Sequence, residues 1–148
     1  IRRTCPRARA SRRSSPIRPR INDALMQSAD DLVQAVHLTA VKERRVAELA
    51  YGQQRQLEIA LALAGAPRLV LFDEPAAGLS PTERGELVEI LAALPGHIGY
   101  IIIEHDMDVV GSLAERVTVL HYGEVLTEGT FDEVKRDPRV YEVYLGSA

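Results

Sequence analysis

Arg68-Leu69-Val70-Leu71-Phe72-Asp73-Glu74-Pro75 is the stretch on which the fold turns. Four consecutive apolar residues run straight into two carboxylates and a proline. Strict alternation would mark a strand with one wet face. An unbroken run instead suits a strand covered on both faces, as in a parallel sheet. A second run, Tyr100-Ile101-Ile102-Ile103, ends in the same manner, at Glu104-His105-Asp106. Between the two, Ser80-Pro81-Thr82-Glu83 has the form of a helix start. Ser80 is the N-cap, Pro81 the first helical residue, and Glu83 reaches back to close a capping box. That helix stops at Pro95-Gly96. Strand, helix, strand with short links describes an α/β fold with parallel pairing.

Working outward, Gly52 to Ala64 reads as a strong helix, stopped by Gly65 and Pro67, with Leu57, Ala60, Leu61 and Ala64 along one face. Residues 22–37 give an earlier helix, with Leu25, Leu32, Val33 and Val36 as its apolar positions, and the polar stretch Lys42 to Arg45 follows it. Downstream, Asp106 is placed to cap a short helix through Ala114. Val117 to Leu120 and Val125 to Thr127 flank Tyr122-Gly123, the pattern of a hairpin. Thr130-Phe131-Asp132-Glu133 is a second capping box, and a short helix over Val140 to Leu145 ends the pattern.

Composition narrows the class. The chain has 148 residues, of which 46% are hydrophobic and 26% charged, as in one ordinary globular domain. No apolar run is long enough to span a bilayer as a helix. The single cysteine, Cys5, excludes a disulfide framework and a cysteine metal site. With no Trp and 5% aromatics, a base-stacking nucleic-acid platform is not expected. The net charge of −3 hides a split: residues 1–20 carry eight Arg and no acid, whereas residues 21–148 carry ten basic and 21 acidic residues. Residues 1–20, with only Ile1 and Ile17 as large aliphatics, are expected to be a disordered basic segment. Such a segment suits a basic arm for nucleic acid or anionic lipid, an organellar transit peptide, or a non-native stretch. The abrupt change near Ile21 and the Ile start favour the last.

In parallel α/β folds, ligands bind beyond the carboxyl ends of the strands. Two strands here end there in polar residues. Asp73, directly after a strand, is placed to hold Mg²⁺ through water. Glu74 faces elsewhere and suits orienting or deprotonating an attacking water. His105 suits a hydrogen bond to a γ-phosphate or to that water. Leu49-Ala50-Tyr51-Gly52-Gln53-Gln54-Arg55 precedes the strong helix. A helix start offers N–H groups and a positive dipole end to an anion, Gly52 permits close backbone approach, and Gln53 and Gln54 supply neutral donors. Each piece has a plainer reading, as a cap, a turn or a surface histidine.

Together these residues resemble the ABC-type ATPases. Leu49 to Gln53 looks like their signature motif, Leu69 to Glu74 like their Walker B strand with its catalytic Glu, Ala77-Gly78-Leu79-Ser80 like the D-loop, and His105 like the switch histidine. The order fits, with Asp73 20 residues after Gln53 and His105 31 after Glu74. The forms LAYGQQR, DEPAAGLSP and IEHDM, with the tail from Glu128 to Gly146, resemble the ATPase subunits of bacterial branched-chain amino acid importers. The resemblance covers residues 22–148. It implies a P-loop NTPase-like ABC core, of which residues 21–66 are the helical and signature part. Residues 67–148 are the Walker B, D-loop, switch His and C-terminal part, with parallel strands and a terminal hairpin.

Departures from the family pattern are visible. Ala50 replaces the usual signature Ser, Ser80 stands where the general D-loop has Asp, and Leu61 sits where many relatives carry Arg. The chain has only two lysines, Lys42 and Lys135, and neither follows the G-x-x-x-x-G-K-[ST] pattern of a P-loop. The family's P-loop half, with its adenine-stacking aromatic and Q-loop Gln, is therefore not in this sequence.

The resemblance implies ATP and Mg²⁺ as cofactors, with Glu74 and His105 catalytic, Asp73 on the metal, and Ala50 to Gln53 offered in trans. It implies a second ABC ATPase subunit and membrane permease subunits as partners, no nucleic acid, and a peripheral place on the inner face of the bacterial plasma membrane. Without the P-loop lysine the chain is expected to be inactive alone. One alternative is a P-loop-less regulatory module that docks on an intact ATPase. Another is a DNA- or translation-linked member of the superfamily, for which no heptad run is visible. Parallel strands lacking their neighbours are also expected to leave an open, aggregation-prone edge.

Overall fold

The computed structural model describes residues 19–145. The order is α1 (Pro19–Ala35), α2 (Tyr51–Leu63), β1 (Leu69–Asp73), α3 (Pro81–Ala92), β2 (Gly99–Ile103), α4 (Met107–Leu113), β3 (Val117–His121), β4 (Glu124–Gly129), α5 (Phe131–Arg136) and α6 (Pro138–Val140). Two short 3₁₀ turns, Thr39–Val41 and Val46–Glu48, link α1 to α2, and a π-helical turn, Tyr141–Leu145, follows α6. The expected disorder of residues 1–20 lies outside the described residues, except that Pro19 and Arg20 begin α1. The tail resemblance likewise runs past Leu145 into residues not described.

β1 and β2 pair in parallel, from Leu69↔Gly99 to Asp73↔Ile103, across a crossover that contains α3. β3 and β4 pair antiparallel as a separate two-stranded sheet. Their loop is Tyr122-Gly123, with φ +49° and +82°. Two positive values in a two-residue hairpin loop match the right-handed twist of the strands. The α/β class, the parallel pair, the hairpin, the caps at Ser80, Asp106 and Thr130, and the short helix after Asp106 all follow the sequence reading.

One core joins Val36 and Leu38 after α1, Ile59, Ala60 and Leu63 of α2, Val70 and Phe72 of β1, Leu87, Ile90 and Leu91 of α3, and Val109 of α4. Val134 and Val140 are buried where α5 and α6 lie against the hairpin.

Four expectations need correction. β1 buries only Val70 and Phe72, and β2 half-buries Tyr100 and Ile102. Leu69, Leu71, Ile101 and Ile103 are 51–68% exposed, so neither strand is covered on both faces. The unbroken apolar run reports two apolar faces, but among the described residues only one has something packed on it. In α2 the buried face is Gln56, Ile59, Ala60 and Leu63, while Leu61 and Ala64 are exposed. A polar residue, Gln56, enters that face because its amide donates to Glu86 at 2.9 Å. Leu25 of α1 is exposed, since that helix contacts the core only through its last turns. Finally, the terminal helix over Val140 to Leu145 is instead α6 plus a π turn.

Candidate active site

The parallel register ends with Asp73 opposite Ile103. One residue further, the Glu74 N–H donates to the Ile103 carbonyl at 2.8 Å and the chain turns. Glu74 holds φ +47°, the left-handed region that a non-glycine residue adopts only under constraint. Pro75 follows, and the Ala77 N–H returns to the Glu74 carbonyl at 3.1 Å. The turn throws the Glu74 side chain out of the strand path toward the loop after β2. There Glu74 Oε1 lies 3.5 Å from His105 Nδ1. Both side chains are open to solvent, at 54% and 69% exposure. Sequence separation of 31 residues is thus closed by one parallel pairing.

Ala77, Gly78, Leu79 and Ser80 form the loop between this turn and α3. Leu79 is buried and anchors it, and Ser80 caps α3. Gly78 has φ +74°, and a Cβ there would sit 3.2 Å from the Tyr51 ring. Tyr51 therefore packs on the loop, and its hydroxyl donates to the Ala77 carbonyl at 3.2 Å. Arg55 donates to the same hydroxyl, at 2.8 and 3.1 Å. The start of α2 is joined in this way to the loop that follows Glu74.

Ala50 is the N-cap of α2 and has no side-chain acceptor to offer its first turn. Gln53 returns half of a capping box, its carbonyl accepting from the Ala50 N–H at 3.1 Å and leaving its amide nitrogen as a donor. Gln54, read as a second donor for an anion, instead donates to the Leu49 carbonyl at 3.1 Å. Gly52 is buried, and the space a Cβ would take is filled by the Glu83 carboxylate of α3. The glycine thus gives room to the Glu83 side chain of the same chain. Ser80, through its hydroxyl and its N–H, holds the Glu83 carboxyl below the usual glutamate range, and the Gly52 N–H adds to this.

Sequence reasoning missed the role of Glu104 and the pairing of Asp106 with Arg84, although it placed Asp106 as a helix cap. Glu104 accepts from the Ala76 N–H at 2.8 Å and from the His105 N–H at 3.2 Å. Asp106 caps α4 through the N–H groups of Asp108 and Val109 and pairs with Arg84 of α3. Partial burial pushes the Asp106 carboxyl up, but Arg84 and those two N–H groups hold it below the usual range. The signal for Glu104 was the polar run after β2, where it carried no spacing of its own.

Asp73 is exposed at the strand end, and no group of three His, Cys, Asp or Glu side chains among the described residues could hold a metal ion. The donors present therefore do not make a Mg²⁺ site by themselves. Neither lysine serves a phosphate cradle: Lys42 pairs with Asp30 at 3.0 Å, and Lys135 lies 5.7 Å above the Phe131 ring. A groove of about 220 Å³ between α2 and β1, lined by Arg55, Glu58, Ile59, Leu71, Asp73 and Pro75 among others, opens beside Asp73 rather than at the Glu74–His105 pair.

Paired parallel strands ending in Asp-Glu and Glu-His, with a glycine-bearing helix start held against the intervening loop, bring together the stretches that resemble the motifs of an ATP-binding cassette. The model of the ABC transporter family matches residues 4–77, and the chain belongs to that family. Residues 124–148 match the model of the branched-chain amino acid ATP-binding cassette transporter family. The high-affinity branched-chain amino acid transport ATP-binding protein BraF of Pseudomonas aeruginosa is 39% identical over 125 residues, 83% of this chain and 49% of that protein. Its counterpart LivG of Escherichia coli is 37% identical over 131 residues, 87% of this chain and 51% of that one. Among solved structures, an ATP-binding cassette in its ADP conformation superposes with a TM-score of 0.74 at 29% identity, covering 84% of this chain and 51% of that one. The chain thus spans about half the length of the curated relatives it matches.

Proposed function

We propose that the chain is the catalytic half of an ATP-hydrolysing subunit of an importer for branched-chain amino acids. The observation that carries this is the 3.5 Å approach of His105 Nδ1 to Glu74 Oε1 at the carboxyl ends of β1 and β2. Glu74, turned out of its strand, accepts a proton from a water beside it. His105 holds that carboxylate in place and keeps its second nitrogen, Nε2, for the terminal phosphate. Asp73 would hold, through water, the Mg²⁺ that accompanies a nucleotide, and the ion would supply positive charge to its phosphates. The start of α2, with Ala50, Tyr51 and the Gln53 amide, is offered to nucleotide held by another cassette. Its first-turn N–H groups lack intrahelical acceptors, and the dipole there favours an anion.

Partners of this kind are a second cassette that carries a P-loop and membrane permeases, with the chain peripheral to the inner face of the plasma membrane. No described helix is long and apolar enough to cross a membrane. Support comes from the family matches at both ends of the chain and from the likeness to BraF and LivG.

The test is turnover of ATP by the chain assembled with a P-loop-bearing cassette subunit. Glu74→Gln is expected to keep nucleotide binding and lose turnover. Undiminished turnover would remove the role given to Glu74, and no association at micromolar protein would remove the partner.

A further inference from the structure

Beyond Asp73↔Ile103 and the Glu74 N–H the ladder between β1 and β2 ends, yet the two loops that carry Glu74 and His105 stay together. One side chain spans them. Glu104 Oε1 accepts from Ala76, in the loop after β1, while Glu104 Oε2 accepts from His105 at 3.2 Å and from Asp106 at 3.5 Å. An ionised carboxylate only accepts, and its two oxygens provide about four lone-pair sites. It can therefore take N–H groups from both loops at once, in bonds strengthened by its charge. On the far side of His105, Asp106 is fixed by the start of α4 and by Arg84. His105 thus stands between two anchored neighbours, while its own ring touches Glu74 and is otherwise in solvent.

We propose that Glu104 is a positioning residue that locks the His105 loop to the loop after Glu74 and so sets the distance between the two reacting side chains. Its catalytic consequence rests on the ATP-hydrolysing reading above. The lock itself does not. Replacement by glutamine leaves one acceptor oxygen and puts an NH₂ group against N–H donors on one of the two loops, so one connection is lost with little change in shape.

The experiment uses the full chain labelled with ¹⁵N and ¹³C. In the unaltered chain the Ala76 and His105 amides are expected to be slow in hydrogen exchange, and the His105 ring to give a cross-peak to the Glu74 side chain. In Glu104→Gln at least one of those two amides exchanges faster, and the cross-peak between the His105 ring and the Glu74 side chain is lost. The Val36 and Leu87 methyl resonances stay in place. Unchanged exchange of both amides, or a His105–Glu74 cross-peak that survives in Glu104→Gln, would overturn the proposal. In the assembly with a P-loop-bearing cassette, Glu104→Gln is expected to lower kcat roughly 10-fold with the KM for ATP unchanged, as a misplaced group does. A change carried by KM would also overturn it. An assembly with no turnover in either form would count against the proposed function alone, and the resonance experiments would still decide the role of Glu104.

Discussion

The two faces of the β1–β2 sheet carry similar side chains and meet opposite surroundings. Val70, Phe72, Tyr100 and Ile102 point into a core closed by α2, α3 and α4. Leu69, Leu71, Ile101 and Ile103, their immediate neighbours in the chain, stand in solvent. The loops beyond the strands belong with the inner side, where Tyr51 of α2 and Arg84 of α3 tie them to two helices and Glu104 ties them to each other. Apolar composition alone therefore does not say which face is load-carrying. The inner face holds this chain together. The outer face has the chemistry of a surface that another segment or chain covers, and parallel strands are ordinarily buried on both faces.

The sharpest way to break this contrast is to truncate one residue on each face. Phe72→Ala is expected to cost about 3–5 kcal/mol in urea unfolding. Leu71→Ser is expected to change stability by about 0.5 kcal/mol or less, and to reduce aggregation measured by light scattering. Equal losses would mean that the outer face is packed after all. A step smaller, Gly78→Ala forces a side chain into the left-handed region, costing about 1–2 kcal/mol, and pushes the Tyr51 ring off the loop. Loss of the Tyr51–Ala77 contact would appear as faster hydrogen exchange in the first turn of α2. Ala50→Ser runs the other way. It supplies the missing side-chain acceptor at the N-cap of α2 and is expected to add about 1 kcal/mol.

The smallest effect separates the two sides by pH. Folding lowers the carboxyl of Glu83 from its ordinary 4.5 and that of Asp106 from 3.8. A group depressed on folding stabilises the native state above its unfolded value. That contribution is lost as the pH falls through the folded value. Stability is therefore expected to decline on acidification below about pH 4.5, and Glu83→Gln is expected to flatten the upper part of the decline. The outer face, which has no titrating group among its four residues, does not contribute.

Much of the fold was legible because its signals are local. The boxes at Ser80 and Thr130, the cap at Asp106 and the two-residue loop at Tyr122-Gly123 are each written within four residues. The pairing of β1 with β2 was legible from topology rules, and it brings the loops of Glu74 and His105 to one sheet edge. The covered face of each strand was not, because a run of Leu, Val and Ile contains both faces in equal measure. Burial of Gln56 was hidden too, since its partner Glu86 lies 30 residues away on another helix. The same distance hid Glu104, whose contact with Ala76 spans 28 residues and has no periodicity to betray it.

The two sheets also differ in when they can form. β3 and β4 are separated by two residues, and a hairpin of that kind closes in about 1–10 μs. β1 must wait for β2 across residues 74–98, with loop closure preceding any gain from pairing. On a ribosome adding about 5–20 residues per second, the thirty residues from Asp73 to Ile103 take roughly 2–6 s. Until β2 is made, Leu69-Val70-Leu71-Phe72 has no partner strand, although α3 is synthesised before it, so an apolar segment of the site waits unpaired for seconds during synthesis.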